Sequence, residues 1–248
     1  MLSIITPVLN GRKYIQYTIE SIQKLNIPYE HIIVDGGSTD GTIEFASQYQ
    51  HIKLLHQKDK TGMYGAIHEG FLVSKGEYIT WVNADDYIIK NGYELMYKHI
   101  KDRKIDLVYS NAIYHYNESY KYKKMYARHF GRYLLKEGIM PFVQPSSMYS
   151  RLAYDKVGGL DFNRFKIIGD RDFFQRMAYN TEFKFGYIST FSIIFLKHSN
   201  SLFFKNQKLK LKEYSYCVKS NVSLSNRIIF HLSGIIRSLV DILKINRV

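Results

Sequence analysis

Two adjacent carboxylates, Asp85 and Asp86, are the sharpest chemical signal in this 248-residue sequence. They close an apolar run over 78–82. Acids side by side repel and raise each other's pKa unless a cation relieves them. A hard divalent ion with oxygen ligands does so, and it can also bridge a diphosphate and neutralise charge on a phosphate leaving group. The plainer reading of the pair is a solvated helix N-cap. Two more polar clusters, residues 7–10 and 35–40, also close apolar runs. Asn, Asp and Gly make turns in any protein, but turn chemistry does not call for an acid pair at the end of a buried strand. A further pair, Asp170 and Asp172, opens a stretch of helical pattern. Two residues apart on a helix, such side chains point roughly 200° apart, so only one of them faces a given site.

The elements that would carry these residues follow from periodicity. Apolar runs over 2–6, 31–34, 52–56, 78–82 and 106–109 read as strands. Between them, Ile15, Ile19, Ile22 and Leu25 recur at helical spacing. Thr39-Asp40 opens a helix through about Tyr49, and helices are expected over 62–75 and 91–103. Strands alternating with crossover helices imply an α/β fold with a mainly parallel sheet. In such a sheet, ligands bind beyond the carboxyl ends of the strands, where the three polar clusters fall. Residues 112–130 are rich in Tyr and Lys without helical period, and read as strands or a loop. Then come a strand from Gln144, a helix over 151–157, a Gly158-Gly159 break, a helix over 169–179 and strand-like runs over 183–196.

Composition narrows the function classes. Lys plus Arg is 35 and Asp plus Glu is 22, a net charge of +13. A basic surface suits phosphorylated substrates, an anionic membrane or nucleic acid. The single Cys217 excludes a disulfide scaffold and a multi-cysteine zinc site. The nine histidines show no HxH or HxxxH spacing. There is no GxxxxGK[ST], no GxGxxG after the first strand and no GxSxG. No run of 18 apolar residues spans a bilayer, and no signal-peptide pattern follows Met1, so a cytoplasmic protein is expected.

Four strings, in this order and spacing, carry a resemblance: SIITPVLN (3–10), IIVDGGSTDGT (32–42), DKTGMYGAIHEGFLVSKGEYITWVNADD (59–86) and GGLDFNRFKIIGDRDFFQRM (158–177). The chain resembles a family 2 glycosyltransferase with the GT-A fold. The likeness covers about residues 1–198. It implies a GT-A catalytic domain over 1–200, with a nucleotide-sugar half (1–110) and an acceptor half (111–200). It implies inverting transfer of a sugar from a nucleotide-sugar donor, a UDP-sugar first among them, with Mn2+ or Mg2+. The implied acceptor is a glycan or lipid-linked glycan in cell-surface polysaccharide synthesis.

Position by position, Thr6, Pro7 and Val8 resemble the wall that holds the base, and Asp35 the acid on the nucleoside. Asn10, Ser38 and Gly62 complete the implied nucleotide-sugar site. Asp85 resembles the ribose-side acid and Asp86 the metal ligand on the diphosphate. His198 stands where a family histidine approaches the metal. Asp170 matches the general base, and Arg176 a basic residue of the donor site. The chemistry needs these types independently: a sugar hydroxyl is a poor nucleophile, so a carboxylate must take its proton, and the departing diphosphate needs a cation. The sequence departs from the family at Gly36, Gly65, His68, Val143 and Gly169, while Gln144 fits.

From Ser201 the chain holds nine Lys/Arg and two acids. Ile228, Leu232, Ile235, Ile236, Leu239, Ile242 and Leu243 fall on one side of a helical wheel. Such a basic amphipathic tail (201–248) suits an anionic membrane surface or packing on protein. The Tyr/Lys stretch 114–136 reads as an acceptor cleft or a solvated edge. Two other classes stand beside the enzyme: a GT-A-like binder of nucleotide sugar without turnover, and a basic nucleic-acid-binding module. The acids at the strand ends oppose the latter, so no nucleic acid is expected as partner.

Overall fold

The computed structural model describes residues 1–59, 61–199, 201 and 206–221. The amphipathic stretch 228–243 lies outside them. In chain order the elements are β1 (Leu2–Val8), α1 (Ile15–Gln23), β2 (Tyr29–Asp35), α2 (Thr42–Ala46), β3 (Ile52–His56), α3 (Met63–Val73), β4 (Tyr78–Trp81), β5 (Tyr87–Ile88) and α4 (Lys90–Arg103). They continue as β6 (Leu107–Tyr116), β7 (Lys121–Met125), α5 (Gly131–Lys136), a 3-10 turn (Gln144–Ser146), β8 (Ser147–Ser150), α6 (Arg151–Lys156), α7 (Gly169–Tyr179), β9 (Phe185–Lys197) and α8 (Gln207–Asn221).

The strands form one mixed sheet in the order β3-β2-β1-β4-β8-β6-β9-β5, with β7 added to the free half of β6. β3, β2, β1 and β4 are parallel, as the alternating strand and helix signals require. β1 is buried along its whole length, the expected state of an apolar run flanked by parallel strands and covered on both faces. One stripe of α1 (Ile15, Thr18, Ile19, Ile22) is buried. α3 lies close to the sheet at Gly70, where a Cβ would meet an Ile5 methyl at 2.6 Å. β8 runs antiparallel between β4 and β6, so β6 and its parallel neighbour β9 point the same way as β1 to β4.

Register then decides what projects beyond the sheet. Ile79, Tyr149 and Leu107 are level, so β4 ends at Trp81 level with Tyr109. β6 continues seven residues further, roughly 20 Å past the end of β4. That extension, β7 and the end of β9 form an arm on the carboxyl edge of the parallel strands.

Trp81 anchors this edge. Its ring stacks on Phe174 of α7 (6.4 Å, 11°) and meets Phe71 and Tyr149 edge-on. All four are buried, and aromatic pairs of this kind add about 0.5–1.5 kcal/mol each beyond their burial. Gln144 Nε2 donates to the Trp81 carbonyl at 3.2 Å.

Some boundaries differ from expectation. The helix expected through Tyr49 is only Thr42–Ala46: Gly41 enters it at φ +86, and no apolar period continues the short segment. Residues 112–130 contain a hairpin, β6–β7, whose register runs from Ala112↔Met125 to Tyr116↔Lys121. α6 starts one residue after Ser150, whose hydroxyl accepts from the Ala153 N–H at 3.1 Å. Among the described residues no helix is long and apolar enough to cross a membrane.

Candidate functional site

The first two strand ends are knitted to each other. Gly36 N–H donates to the Val8 carbonyl (2.8 Å), Asn10 N–H to Ser38 Oγ (2.8 Å) and Thr39 N–H to Asn10 Oδ1 (2.9 Å). Asn10 takes φ +53, a left-handed conformation that Asn tolerates better than most residues. The Asp35 carboxylate accepts from the N–H groups of Gly37 (3.0 Å) and Ser38 (3.0 and 3.1 Å), and its side chain is 2% exposed. The acid expected on the nucleoside is therefore the staple of its own turn. Thr6 also departs from expectation. It lies within the sheet, fully buried, with its hydroxyl 2.9 Å from His31 Nε2. Burial, then the charge of His51, pushes His31 down to about 3 and keeps that ring neutral. Pro7 and Val8 are buried at the strand end, which leaves the backbone and the exposed Leu9 and Asn10 as the outward face of this loop.

The structure divides Asp85 and Asp86 the other way from the sequence expectation. Asp86 is 0% exposed. Leu196 N–H donates to its Oδ1 (3.0 Å) and Asn83 Nδ2 to its Oδ2 (3.0 Å). Burial, then the charge of Asp85, pushes the Asp86 carboxyl well above the usual range. Thr18 donates to the carbonyls of Ala84 (2.9 Å) and Asp86 (2.7 Å), locking the turn to α1. Asp86 thus ties the β4 loop to β9. Asp85 faces the site: its Oδ2 lies 2.9 Å from His198 Nε2, and its side chain is 27% exposed against 8% for His198. The Tyr14 ring flanks the imidazole at 5.0 Å. Among the described residues no hydrogen-bond partner reaches the buried His198 Nδ1.

The second acid sits at the start of α7. Tyr64 OH donates to Asp170 Oδ1 (3.2 Å) and lies 3.1 Å from the Ile167 carbonyl; Arg171 N–H donates to the same carboxylate oxygen at 2.9 Å. Burial pushes the Asp170 carboxyl up, and these hydrogen bonds together with the Arg171 charge oppose the shift. Tyr64 belongs to the first turn of α3, which leaves the carboxyl edge after β3, and Phe174, one turn along α7, stacks on Trp81. Asp85 and Asp170 therefore stand on the same edge of the sheet. Asp172 faces elsewhere and accepts from Arg176 Nε at 2.9 Å. Arg176, expected in the donor site, also donates to the carbonyls of Val157 and Gly159, so it binds α7 to the end of α6 instead. Gly62 enters α3 at φ +86, its carbonyl accepting from Gln57 Nε2 (3.0 Å).

Packing accounts for two departures from the family pattern. A Cβ at Gly65 would stand 1.6 Å from Thr61 Oγ1, and one at Gly169 would stand 2.9 Å from the Tyr64 ring. His68 is a structural residue: its Nδ1 is 3.2 Å from Tyr154 OH and its ring lies on Phe162 at 4.9 Å. Tyr64 is the site residue that sequence reasoning missed. It lies inside the quoted 59–86 string, but nothing local says that its hydroxyl reaches across to residue 170.

The arm projects beyond the same edge of the sheet. Tyr120, Tyr122 and Tyr126 on it are exposed, as are Lys121, Lys123 and Lys124. His115 stacks on Tyr122 (4.4 Å, 11°), and Tyr87 OH lies 3.2 Å from His115 Nδ1.

The sequence model described as glycosyl transferase family 2 matches residues 3–170. Glycosyltransferase GlyG of Streptococcus pneumoniae is 37% identical over 124 residues, 48% of this chain and 41% of that protein. The putative teichuronic acid biosynthesis glycosyltransferase TuaG of Bacillus subtilis is 31% identical over 108 residues, 42% of this chain and 43% of its own length. This chain thus spans well under two thirds of these relatives. Among solved structures, S. aureus TarS in complex with UDP-GlcNAc superposes with TM-score 0.65 at 17% identity, covering 83% of this chain and 60% of that one. The mannosyltransferase PcManGT from Pyrobaculum calidifontis, in complex with GDP-Man and Mn2+, gives TM-score 0.63 at 14% identity, covering 91% and 66%. The architecture is the GT-A fold of these neighbours.

Proposed function

This chain belongs to glycosyl transferase family 2, and from that premise we propose that it transfers a sugar from a nucleotide-sugar donor to a glycan or lipid-linked acceptor, with inversion. The observation that carries the reading is one sheet edge bearing two separate polar centres: the Asp85–His198 pair and, held by Tyr64, the half-buried Asp170. The nucleotide-sugar half is 1–110 and the acceptor half 111–200, with the residues from 201 as a tail.

The Asp85–His198 pair fits a divalent cation. Two ligand atoms at right angles around an ion with bonds of about 2.1 Å are about 3 Å apart, and Asp85 Oδ2 and His198 Nε2 are separated by 2.9 Å. Among the described residues no third His, Cys, Asp or Glu converges on them, so an ion there would need substrate phosphates and waters as its other ligands. Mn2+ or Mg2+ bound there would neutralise charge on the diphosphate. Asp86 is not offered as a ligand, since both of its oxygens already accept hydrogen bonds from the protein.

The reaction follows from the residues. The acceptor hydroxyl oxygen attacks the anomeric carbon from the face opposite the diphosphate. The new C–O bond forms as the old one breaks, and its electron pair leaves with the nucleoside diphosphate. Asp170 takes the hydroxyl proton and later releases it to water. Burial holds this carboxyl more basic than a solvated aspartate, which favours proton capture. The exposed tyrosines and lysines of the arm offer ring faces and positive charge to an acceptor that carries both sugar and phosphate.

UDP-sugars are the first donors to test, and TarS, whose structure was obtained with UDP and UDP-GlcNAc, supports that order. Names such as poly(ribitol-phosphate) beta-glucosyltransferase among the relatives support a cell-surface glycan as product. We place the enzyme at the inner face of the membrane; the basic tail suits contact with anionic lipid or packing on protein, and its α8 packs on the catalytic domain. The test is a donor screen with purified protein, manganese and a panel of nucleotide sugars, scored by released nucleoside diphosphate. Release from at least one donor, abolished by Asp170→Asn, is the expected result. Nucleotide binding in a thermal-shift assay without release from any donor, with or without glycan acceptors, would make the chain a binder rather than an enzyme.

A further inference from the structure

α8 lies beyond residues 3–170, the span shared with the family, yet it reaches the segment that carries Asp170. Glu213, 5% exposed, accepts from three successive backbone N–H groups: Lys166 to Oε1 at 2.8 Å, Ile167 to Oε2 at 3.0 Å and Ile168 to Oε2 at 3.0 Å. These are the last residues before α7, whose N-cap, Ile168, has no side chain to cap the helix. Tyr64 grips the same segment from the other side, through the Ile167 carbonyl, and also binds Asp170. A small buried cluster of Phe165, Ile168 and Cys217, with Tyr214 packed against it, seats α8 here. The Arg171 guanidinium lies 4.6 Å over the Tyr214 ring.

We infer that Glu213 is a positioning residue for Asp170: it clamps residues 166–168 so that the carboxylate two residues later has one orientation. Hydrogen bonds to an ionised acceptor are shorter and stronger than neutral ones. Three of them from consecutive amides leave the segment no freedom to rotate. The helix's own N-cap supplies no acceptor, since Ile168 carries no polar side chain. The inference rests on the reading of Asp170 as the base.

The test uses the full chain with Glu213→Gln and Glu213→Ala beside Asp170→Asn. Gln keeps the size but turns one terminal oxygen into a donor facing donors. Amide hydrogen exchange at 166–168 should quicken about tenfold in both Glu213 variants, with β1 and β4 unchanged. With UDP-N-acetylglucosamine or UDP-glucose and manganese, kcat should fall about 10- to 100-fold, as a displacement of about 1 Å can cause. Donor KM should stay within about twofold. The acid limb of kcat should move to lower pH, because a loosened segment admits water to Asp170 and relieves the burial that raises it. The groups facing Asp170 are Tyr64 from α3, Arg171 beside it and Cys217 from α8, and Glu213 faces Tyr64 and Cys217 in turn. Unchanged exchange at 166–168 would overturn the clamp whatever the donor. So would a loss of kcat that only tracks the folded fraction, with the acid limb unmoved. If Asp170→Asn turns over like the parent, the base assignment fails instead, and the exchange result still judges the clamp.

Discussion

The amino-terminal strand ends and the β6–β7 arm face the same edge, but they treat their polar groups in opposite ways. In the first region the side chains answer one another: Asp35 staples Gly37 and Ser38, Ser38 accepts from Asn10, and Asn10 accepts from Thr39. In the arm, Tyr120, Tyr122 and Tyr126 lie exposed among lysines. Closed hydrogen-bond circuits hold the backbone in one geometry, which would suit the proposed nucleotide-sugar donor, whose diphosphate does not vary. An open surface of rings and flexible cations adapts, which suits an acceptor of variable length. Lysines on an edge strand also deter unwanted pairing, but that purpose alone does not explain three exposed tyrosines beside them.

The comparison can be broken at graded cost. The largest effect should come from the acid at the start of α7. Asp170→Asn should lower kcat by about 10²–10⁴-fold, the usual worth of a positioned base, with donor affinity intact by calorimetry. The same carboxyl sets a pH dependence. Its folded pKa is raised by burial, and the base acts only when ionised. Activity should therefore fall on acidification at a pH above the ordinary aspartate value of about 3.9, and a rate profile with its acid limb at or below that value would contradict the assignment. Next, Asp85→Ala should leave the melting temperature of the free protein nearly unchanged. It should erase the stabilisation by UDP with manganese, which is about 2.7 kcal/mol for the parent at one hundred times Kd.

Asp86→Ala and Asp35→Ala should show the reverse pattern. Each strands buried backbone or amide donors, which costs about 1–3 kcal/mol, and the melting temperature should drop by several degrees. If Asp86→Ala were instead neutral for stability but blind to manganese, the division of the acid pair argued above would be inverted. The smallest effects belong to the arm. Tyr120→Ala or Lys121→Ala should leave stability within about 0.5 kcal/mol and raise acceptor KM a few-fold. For the lysine, that penalty should shrink at high salt, as expected for an exposed charge.

Much of this was legible before any coordinates. Alternating apolar runs and amphipathic spacing located β1 to β4 and the helices between them, and α7 has the bounds that its pattern predicts. The arm reads as strand or loop because its Tyr/Lys alternation has no apolar face; its pairing combines a local hairpin, β6 with β7, and a strand distant in sequence, β9. The two-residue β5 offers no period at all and exists only through Ile193 and Ile194.

Spacing and turn residues thus sufficed for the order of most elements and the edge on which the acids gather, while the likeness of four strings to a known family pointed to the family that the chain belongs to. They were blind to direction. Which of two neighbouring aspartates meets His198, whether Asp35 and Arg176 turn outward or bind their own backbone, and how Glu213 comes to hold residues 166–168 were decided by packing. The reason is physical: local sequence sets the torsions of a few residues, while the aim of a side chain depends on which donors, rings and charges the rest of the fold brings within about 3 Å of it.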